Sequence, residues 1–289
     1  MGERRDSSRA TTDAGPSRCE RQSSDPKRVN VANETTLLIH GGCHGAWCWD
    51  GVVSGLAESG IEARAFDLPG CGNDQTPRAT IDLDDQIAAV VAQVDAVPDG
   101  PVRLVGHSIG GWLLAPVASA RPERIVEIVF LAASALTRDE CGIDVTPADR
   151  REGYFEVAAN SPDNSLTITF EAAWDRFYNH LSEQDARAAY ARLTPQPFQP
   201  YLDPARVGIE DVSVPRRYLA ADDDLTFPLD VASGFAASAG VTLELLPGDH
   251  CLMLSAPSVA VGALAETSRR EGGSPTVWAT RGAWAVTLH

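Results

Sequence analysis

The sequence is poor in most of the features that announce a function class. Its six cysteines (Cys19, Cys43, Cys48, Cys71, Cys141 and Cys251) form no CxxC pair and follow no regular spacing. A disulfide framework belongs to short secreted chains, and a metal site asks for closely spaced ligand pairs. Neither pattern is met, so reduced, mostly buried thiols in a cytoplasmic protein are expected, with no metal. No apolar run approaches the roughly 20 residues of a membrane span. The opening MGERRDSSRATTDAGPSRCERQSSDPKR carries charge but no apolar h-region, which excludes a secretory signal, and its five acidic residues argue against a transit peptide. Positive charge is scarce as well: 24 Lys and Arg stand against 40 Asp and Glu, a formal net charge of −16. Such a surface repels phosphate backbones and anionic lipid, which excludes nucleic acid and membrane surfaces as partners. The histidines are scattered, and HGGCHG after the first expected strand lacks dinucleotide-loop spacing, so no cofactor is expected. No internal repeat is present.

What the chain does have is a strand–helix rhythm. Its 289 residues are 44% hydrophobic, enough for a sizeable core. TTLLIH (35–40) is a short apolar run ending at two glycines, a buried strand by length and flanks. Trp49, Val52, Val53 and Leu56 then repeat at helical spacing. Residues 61–70 read as strand and turn, 80–97 as a helix, and VRLVGHS (102–108) as a strand. Residues 109–123 form a helix that Pro116 kinks or interrupts, and 124–134 a further strand. Short buried strands alternating with amphipathic helices predict a parallel sheet covered on both faces.

From about 136 to 211 the rhythm breaks. That stretch is helical and aromatic-rich, with no convincing buried strand, and reads as a lid inserted into the sheet's connections. Strands resume at VPRRYLAADDD and VTLELLPGDH. The expected organisation is a disordered tail (1–30), one α/β domain (31–268) and a loosely attached C-terminal tail (269–289).

Gly106-His107-Ser108-Ile109-Gly110 matches G-x-S-x-G at an expected strand-to-helix junction, the context that pattern requires. A tight turn there forces strained dihedrals on the serine, and its neighbours two residues away must lack side chains. The hydroxyl then projects from the C-terminal edge of the sheet, beside free N–H groups at the start of the next helix. A serine nucleophile needs a base, and the base needs an orienting acid. His250 follows the last expected strand, at the same sheet edge as Ser108, and is the best base by position. His107 is locked beside Ser108, His44 reads as a satisfied loop histidine, and His180 and His289 lie in the insertion and the tail. Asp222, Asp223 and Asp224 end the preceding strand, and chain order alone leaves all three open as the acid. Trp112, one turn past the serine, reads as core.

The segments HGGCHGAWCW, DLPGCG, GHSIGG and GDHCLMLSAP, in that order across residues 35–267, resemble the α/β-hydrolase superfamily. The resemblance is closest to its hydroxynitrile lyase and plant methylesterase branch with bacterial carboxylesterase relatives. It implies an α/β-hydrolase fold, mostly parallel with helices on both faces and a helical lid. It also implies Asp224, four residues before Pro228, as the acid with Asp222 as fallback, and backbone N–H groups of Gly42 and Ile109 as the oxyanion hole. Lyases of this branch carry Thr and Lys where this chain has Gly41 and Cys251, and both departures favour ester hydrolysis. Serine at 108 excludes the carboxylate nucleophile of dehalogenases and epoxide hydrolases. Candidate substrate contacts are His40, Gly41, His107, Trp174 and Cys251. The expected activity is hydrolysis of a small apolar or aromatic carboxylic ester through an acyl-enzyme, with a small-molecule ester and a second copy of the chain, as a homodimer, as partners. The alternatives are a hydroxynitrile lyase or other carbon–carbon-cleaving or cofactor-free member of the fold, and a non-catalytic small-ligand receptor.

Overall fold

In chain order the body opens with β1 (Thr35–Ile39), α1 (Asp50–Glu58), β2 (Glu62–Ala65), α2 (Leu83–Ala96), β3 (Val102–Ser108), α3 (Leu114–Ala120) and β4 (Ile125–Ala133). An insertion follows, with α4 (Gly142–Val145), α5 (Ala148–Asn160), β5 (Ser165–Leu166), α6 (Phe170–Phe177), α7 (Glu183–Tyr190) and β6 (Gln196–Pro197). The body resumes with β7 (Arg216–Ala221), α8 (Leu229–Ser238), β8 (Leu243–Leu246), α9 (Leu252–Ser255) and α10 (Pro257–Ala265). The computed structural model describes residues 34–98 and 100–266, so both expected tails lie outside the described residues.

Six strands form one parallel sheet in the order β2-β1-β3-β4-β7-β8. Alternation along each strand splits the core into two layers. Leu37 and Ile39 of β1, Ile128 and Phe130 of β4, and Tyr218 of β7 face one side, where α2, α3 and α8 pack. Leu38, Val129, Leu131 and Leu219 face the other, under Val52 and Leu56 of α1 and Ala260 and Leu264 of α10. Burial on both faces explains why these strands read as continuous apolar runs, and each buried Leu or Ile contributes about 1.5–3 kcal/mol.

Local chemistry sets the boundaries that periodicity leaves vague. The helix expected over 80–97 starts at Leu83 because Asp82 and Asp85 form a reciprocal capping box. The helix expected over 109–123 divides into a 3-10 turn (Ile109–Leu113) and α3. Pro116 falls in the first turn of α3, where its missing N–H leaves no bond unmade.

The insertion carries the expected helices but corrects the expectation of no buried strand. β5 and β6 pair antiparallel, with Ser165 opposite Pro197 and Leu166 opposite Gln196, and all four residues are buried. Two-residue strands leave no period to detect, and this pairing is made by tertiary contact. The β5–β6 ribbon lies in a separate apolar cluster of Leu136, Ala158, Leu166, Phe198 and Tyr201 with Trp112 of the body. Among the described residues no helix is long and apolar enough to cross a membrane.

Candidate functional site

Because all six strands run the same way, the loops after β1, β3, β7 and β8 open at one edge of the sheet. Ser108 ends β3 with φ 52° and ψ −124°, a conformation costing a non-glycine residue about 1–3 kcal/mol. The turn closes only with bare neighbours: a Cβ on Gly106 would lie 2.6 Å from the Gly110 carbonyl oxygen, and one on Gly110 would lie 2.8 Å from the His40 carbonyl oxygen. Ile109 is the first residue of the 3-10 turn, so its N–H has no acceptor within that turn. The Gly42 N–H, from the loop after β1, likewise has no acceptor among the described residues.

The loops after β7 and β8 are zipped together by Asp222 N–H to Leu246 O, Asp223 N–H to Gly248 O and Gly248 N–H to Asp222 Oδ1, each 2.9 Å. This brings His250 Nδ1 within 2.8 Å of Asp224 Oδ2. Asp224 Oδ1 accepts from the N–H groups of Thr226 (2.7 Å) and Phe227 (2.8 Å). Ser108, Asp224 and His250 are only 8%, 5% and 1% exposed. The other two acids are spent elsewhere: Asp222 on Gly248, and Asp223 on His180 and Asn179. Phe177 stacks on the His250 ring at 5.5 Å, and Phe227 meets it edge-on at 5.4 Å.

Three further histidines pack around this edge, and burial holds all of them below their ordinary range. His44 is pushed down to about 3, and His107 and His40 are also lowered. Neutral rings beside His250 spare a forming imidazolium any cationic neighbour. His107 Nε2–H donates to the His250 carbonyl at 3.0 Å, leaving its buried Nδ1 without a partner. His44 Nδ1–H donates to the Gly42 carbonyl (2.8 Å) while its Nε2 accepts from the Tyr178 hydroxyl (2.9 Å), which pins the loop that presents Gly42.

A cavity of about 350 Å³ opens over this edge. Gly42, Ser108, Ile109 and His250 form its floor, and insertion residues such as Tyr154, Val157, Ile168 and Tyr201 its walls and roof. Of the expected substrate contacts only His107 lines it. His40 is fully buried below, donating to the Gly41 carbonyl and accepting from the Leu68 N–H. Gly41 has no room for a side chain, since a Cβ there would meet His107 Nδ1 at 2.7 Å. Cys251 is buried behind His44, its Sγ 3.7 Å from Nε2. Trp174 packs edge-on against Phe170 instead of facing the cavity. Two lining residues went the other way. Trp112, expected as core, is buried and donates to Ser134 Oγ (2.7 Å), yet one edge reaches the cavity. His44, expected as a satisfied loop residue, is satisfied and also lines the wall. Among the described residues no group of three or more His, Cys, Asp or Glu is arranged to hold a metal ion.

A strained serine after a central parallel strand, lining one cavity with the histidine of a buried His–Asp pair from two later loops, fits the α/β-hydrolase architecture. The model of the Alpha/beta hydrolase family matches residues 36–264, and the chain belongs to that family. It is similar to putative methylesterase 12, chloroplastic, of Arabidopsis thaliana (28% identical over 236 residues, 76% of this chain and 68% of that protein). Polyneuridine aldehyde esterase of Rauvolfia serpentina is 29% identical over 240 residues, 76% of this chain and 90% of that protein. Salicylic acid-binding protein 2 of Nicotiana tabacum is 27% identical over 254 residues, 81% and 96% of the two chains. The chain spans 63–68% of the length of four chloroplastic Arabidopsis methylesterases. Among solved structures, an extracellular α/β-hydrolase from a Paenibacillus species superposes with a TM-score of 0.75 over 80% of this chain and 97% of that one, at 24% identity, a likeness of fold. The expected kinship with plant methylesterases and bacterial relatives is therefore found, and ester hydrolysis is the activity the esterase relatives support.

Proposed function

We propose that the chain is a serine hydrolase that cleaves a carboxylic ester of a small apolar or aromatic substrate through an acyl-enzyme. The observation carrying this reading is the buried Asp224–His250 pair, 2.8 Å apart, at the cavity whose floor holds Ser108. With Nδ1–H committed to Asp224, His250 Nε2 is the nitrogen left to take the Ser108 proton as Oγ attacks the ester carbonyl. Asp224 keeps that tautomer and stabilises the imidazolium. The N–H groups of Gly42 and Ile109 receive the oxyanion. His250 then returns its proton to the leaving alcohol, and a water activated by the same nitrogen cleaves the acyl-enzyme.

The insertion acts as lid and roof, and its apolar lining suits an apolar or aromatic ester. Hydroxynitrile cleavage is disfavoured by the surroundings of Gly41 and Cys251: the first leaves no space for a threonine, and the second lies outside the cavity wall. A receptor role is separated by turnover. Fluorophosphonate labelling located by peptide mapping tests the assignment, together with a p-nitrophenyl ester assay of Ser108→Ala. We expect labelling at Ser108 and at least about a thousandfold loss of kcat in the variant. A folded Ser108→Ala protein with near-full esterase activity would overturn it.

A further inference from the structure

Charge inside the cavity is distributed unlike charge on the rest of the chain. Acidic residues outnumber basic ones 40 to 24, so an arginine seldom lacks a carboxylate or carbonyl neighbour. Arg176, on α6, is the exception. Alone among the described arginines, its guanidinium makes no hydrogen bond, ion pair or ring contact, and the residue lines the cavity. On α5, Arg150 also lines the cavity and reaches only two backbone carbonyls, Leu225 at 3.4 Å and Thr226 at 3.5 Å, both at the limit of a hydrogen bond. Tyr154, on the same helix as Arg150, lines the cavity too, and its hydroxyl has no partner among the described residues. Burial raises its pKa, and the charges of Arg150 and Arg176 pull it back down while Cys43 and Asp149 add to the rise. The other charged group on this wall is Asp149, exposed and in ion pair with neither arginine. Of the three histidines lining the cavity, His44 and His107 are held neutral by burial, and His250 is paired with Asp224.

We infer that Arg176, assisted by Arg150 and the Tyr154 hydroxyl, binds a carboxylate carried by the substrate. The preferred ester is then a half-ester, with an apolar body, one ester group at Ser108 and one free carboxyl group under the insertion. This rests on the serine hydrolase reading for the ester end only. Planar guanidinium donors match carboxylate geometry, and charge-assisted hydrogen bonds are about twice as strong as neutral ones. The net charge of −16 repels an anionic substrate at long range, so a preference for one has to arise locally.

The test compares p-nitrophenyl hemi-esters of succinic, glutaric and adipic acid with p-nitrophenyl alkanoates of matched length, on wild type, Arg176→Gln and Arg176→Lys. For at least one length, kcat/KM of the hemi-ester should exceed that of its neutral partner by tenfold or more. Arg176→Gln should lower this ratio at least tenfold, with Arg176→Lys recovering part of it. A wild-type ratio of one or less at every length overturns the inference, as does a ratio unchanged in Arg176→Gln. If no ester turns over and Ser108 is not labelled, the hydrolase reading fails, and adipate binding by calorimetry decides the anion site separately. Adipate bound by wild type and at least tenfold more weakly by Arg176→Gln supports the site, and no binding to wild type overturns it.

Discussion

Replacing Asp224 by Asn exchanges one carboxylate oxygen for an NH2 group of nearly the same size. Its surroundings decide where that group goes. Oδ1 accepts from two backbone N–H groups, Thr226 and Phe227, so an NH2 there would face two donors at 2.7 and 2.8 Å. The amide oxygen therefore keeps that position and the NH2 turns to His250 Nδ1, 2.8 Å away. A donor facing Nδ1 requires it to be unprotonated, which moves the ring proton to Nε2. The base then points N–H at Ser108 and cannot take its proton. Loss of the correct tautomer costs a serine hydrolase about 10⁴-fold in kcat, or ~5.4 kcal/mol at ~1.36 kcal/mol per tenfold. Stability should change little, because the two backbone bonds survive. The assay is kcat on a p-nitrophenyl ester, with thermal unfolding as control and Asp222→Asn alongside. Asp222 is exposed and accepts only from Gly248, so its variant should stay within several-fold of wild type. Asp224→Asn retaining more than a tenth of wild-type kcat, or Asp222→Asn proving the more damaging, refutes the reasoning.

Ser108→Gly removes the nucleophile but relieves φ 52°, and after the added freedom of glycine in the unfolded chain it should stabilise by about 1 kcal/mol. A urea midpoint at or below wild type would show that the turn stores no strain. Gly106→Ala drives a methyl toward the Gly110 carbonyl 2.6 Å away, backbone that cannot swing aside, and should destabilise by about 1–3 kcal/mol while lowering kcat by distorting Ser108; unchanged Tm and kcat would show the elbow to be loose. His44, held near 3, refuses a proton that the unfolded chain accepts below about pH 6.5. Stability should therefore fall as pH drops through that window, approaching ~1.4 kcal/mol per unit for this histidine alone, with His40 and His107 adding to the slope. Equal urea midpoints at about pH 7, 6 and 5 would contradict it.

The centre of the sheet was legible because β1, β3, β4 and β7 are buried on both faces and the helices on one. Leu37–Ile39 and Ile128–Leu131 are uninterrupted apolar runs, while Val52 and Leu56 repeat at helical spacing, and no tertiary knowledge is needed to tell these apart. The nucleophile turn was legible because both of its backbone constraints leave glycines within five residues: Gly106 is demanded by the Gly110 carbonyl and Gly110 by the His40 carbonyl at the end of β1. The acid was not. By spacing alone the three adjacent aspartates are equivalent, and it is the meeting of two loops that directs Asp222 to Gly248, Asp223 to His180 and Asp224 to His250.

The insertion resisted reading because helical periodicity says which face of a helix is apolar but not what that face meets. Phe170 and Phe177 stand seven residues apart on one side of α6. Phe177 reaches the body and stacks on His250, whereas Phe170 stays with Trp174, Tyr190 and the Arg187 guanidinium. Arg176 is harder still, since an arginine between acidic and aromatic neighbours on an amphipathic helix reads as solvated surface. Only the fold reveals that it faces a cavity and has no partner there. The division has a physical origin. The proposed chemistry depends on backbone geometry at the sheet edge, which strains and glycines mark in the sequence. The choice of substrate depends on side chains brought together from α5, α6 and the β5–β6 ribbon, whose meeting no local signal records. Substitutions in the insertion should accordingly change which ester is taken, and substitutions at the sheet edge whether any is cleaved.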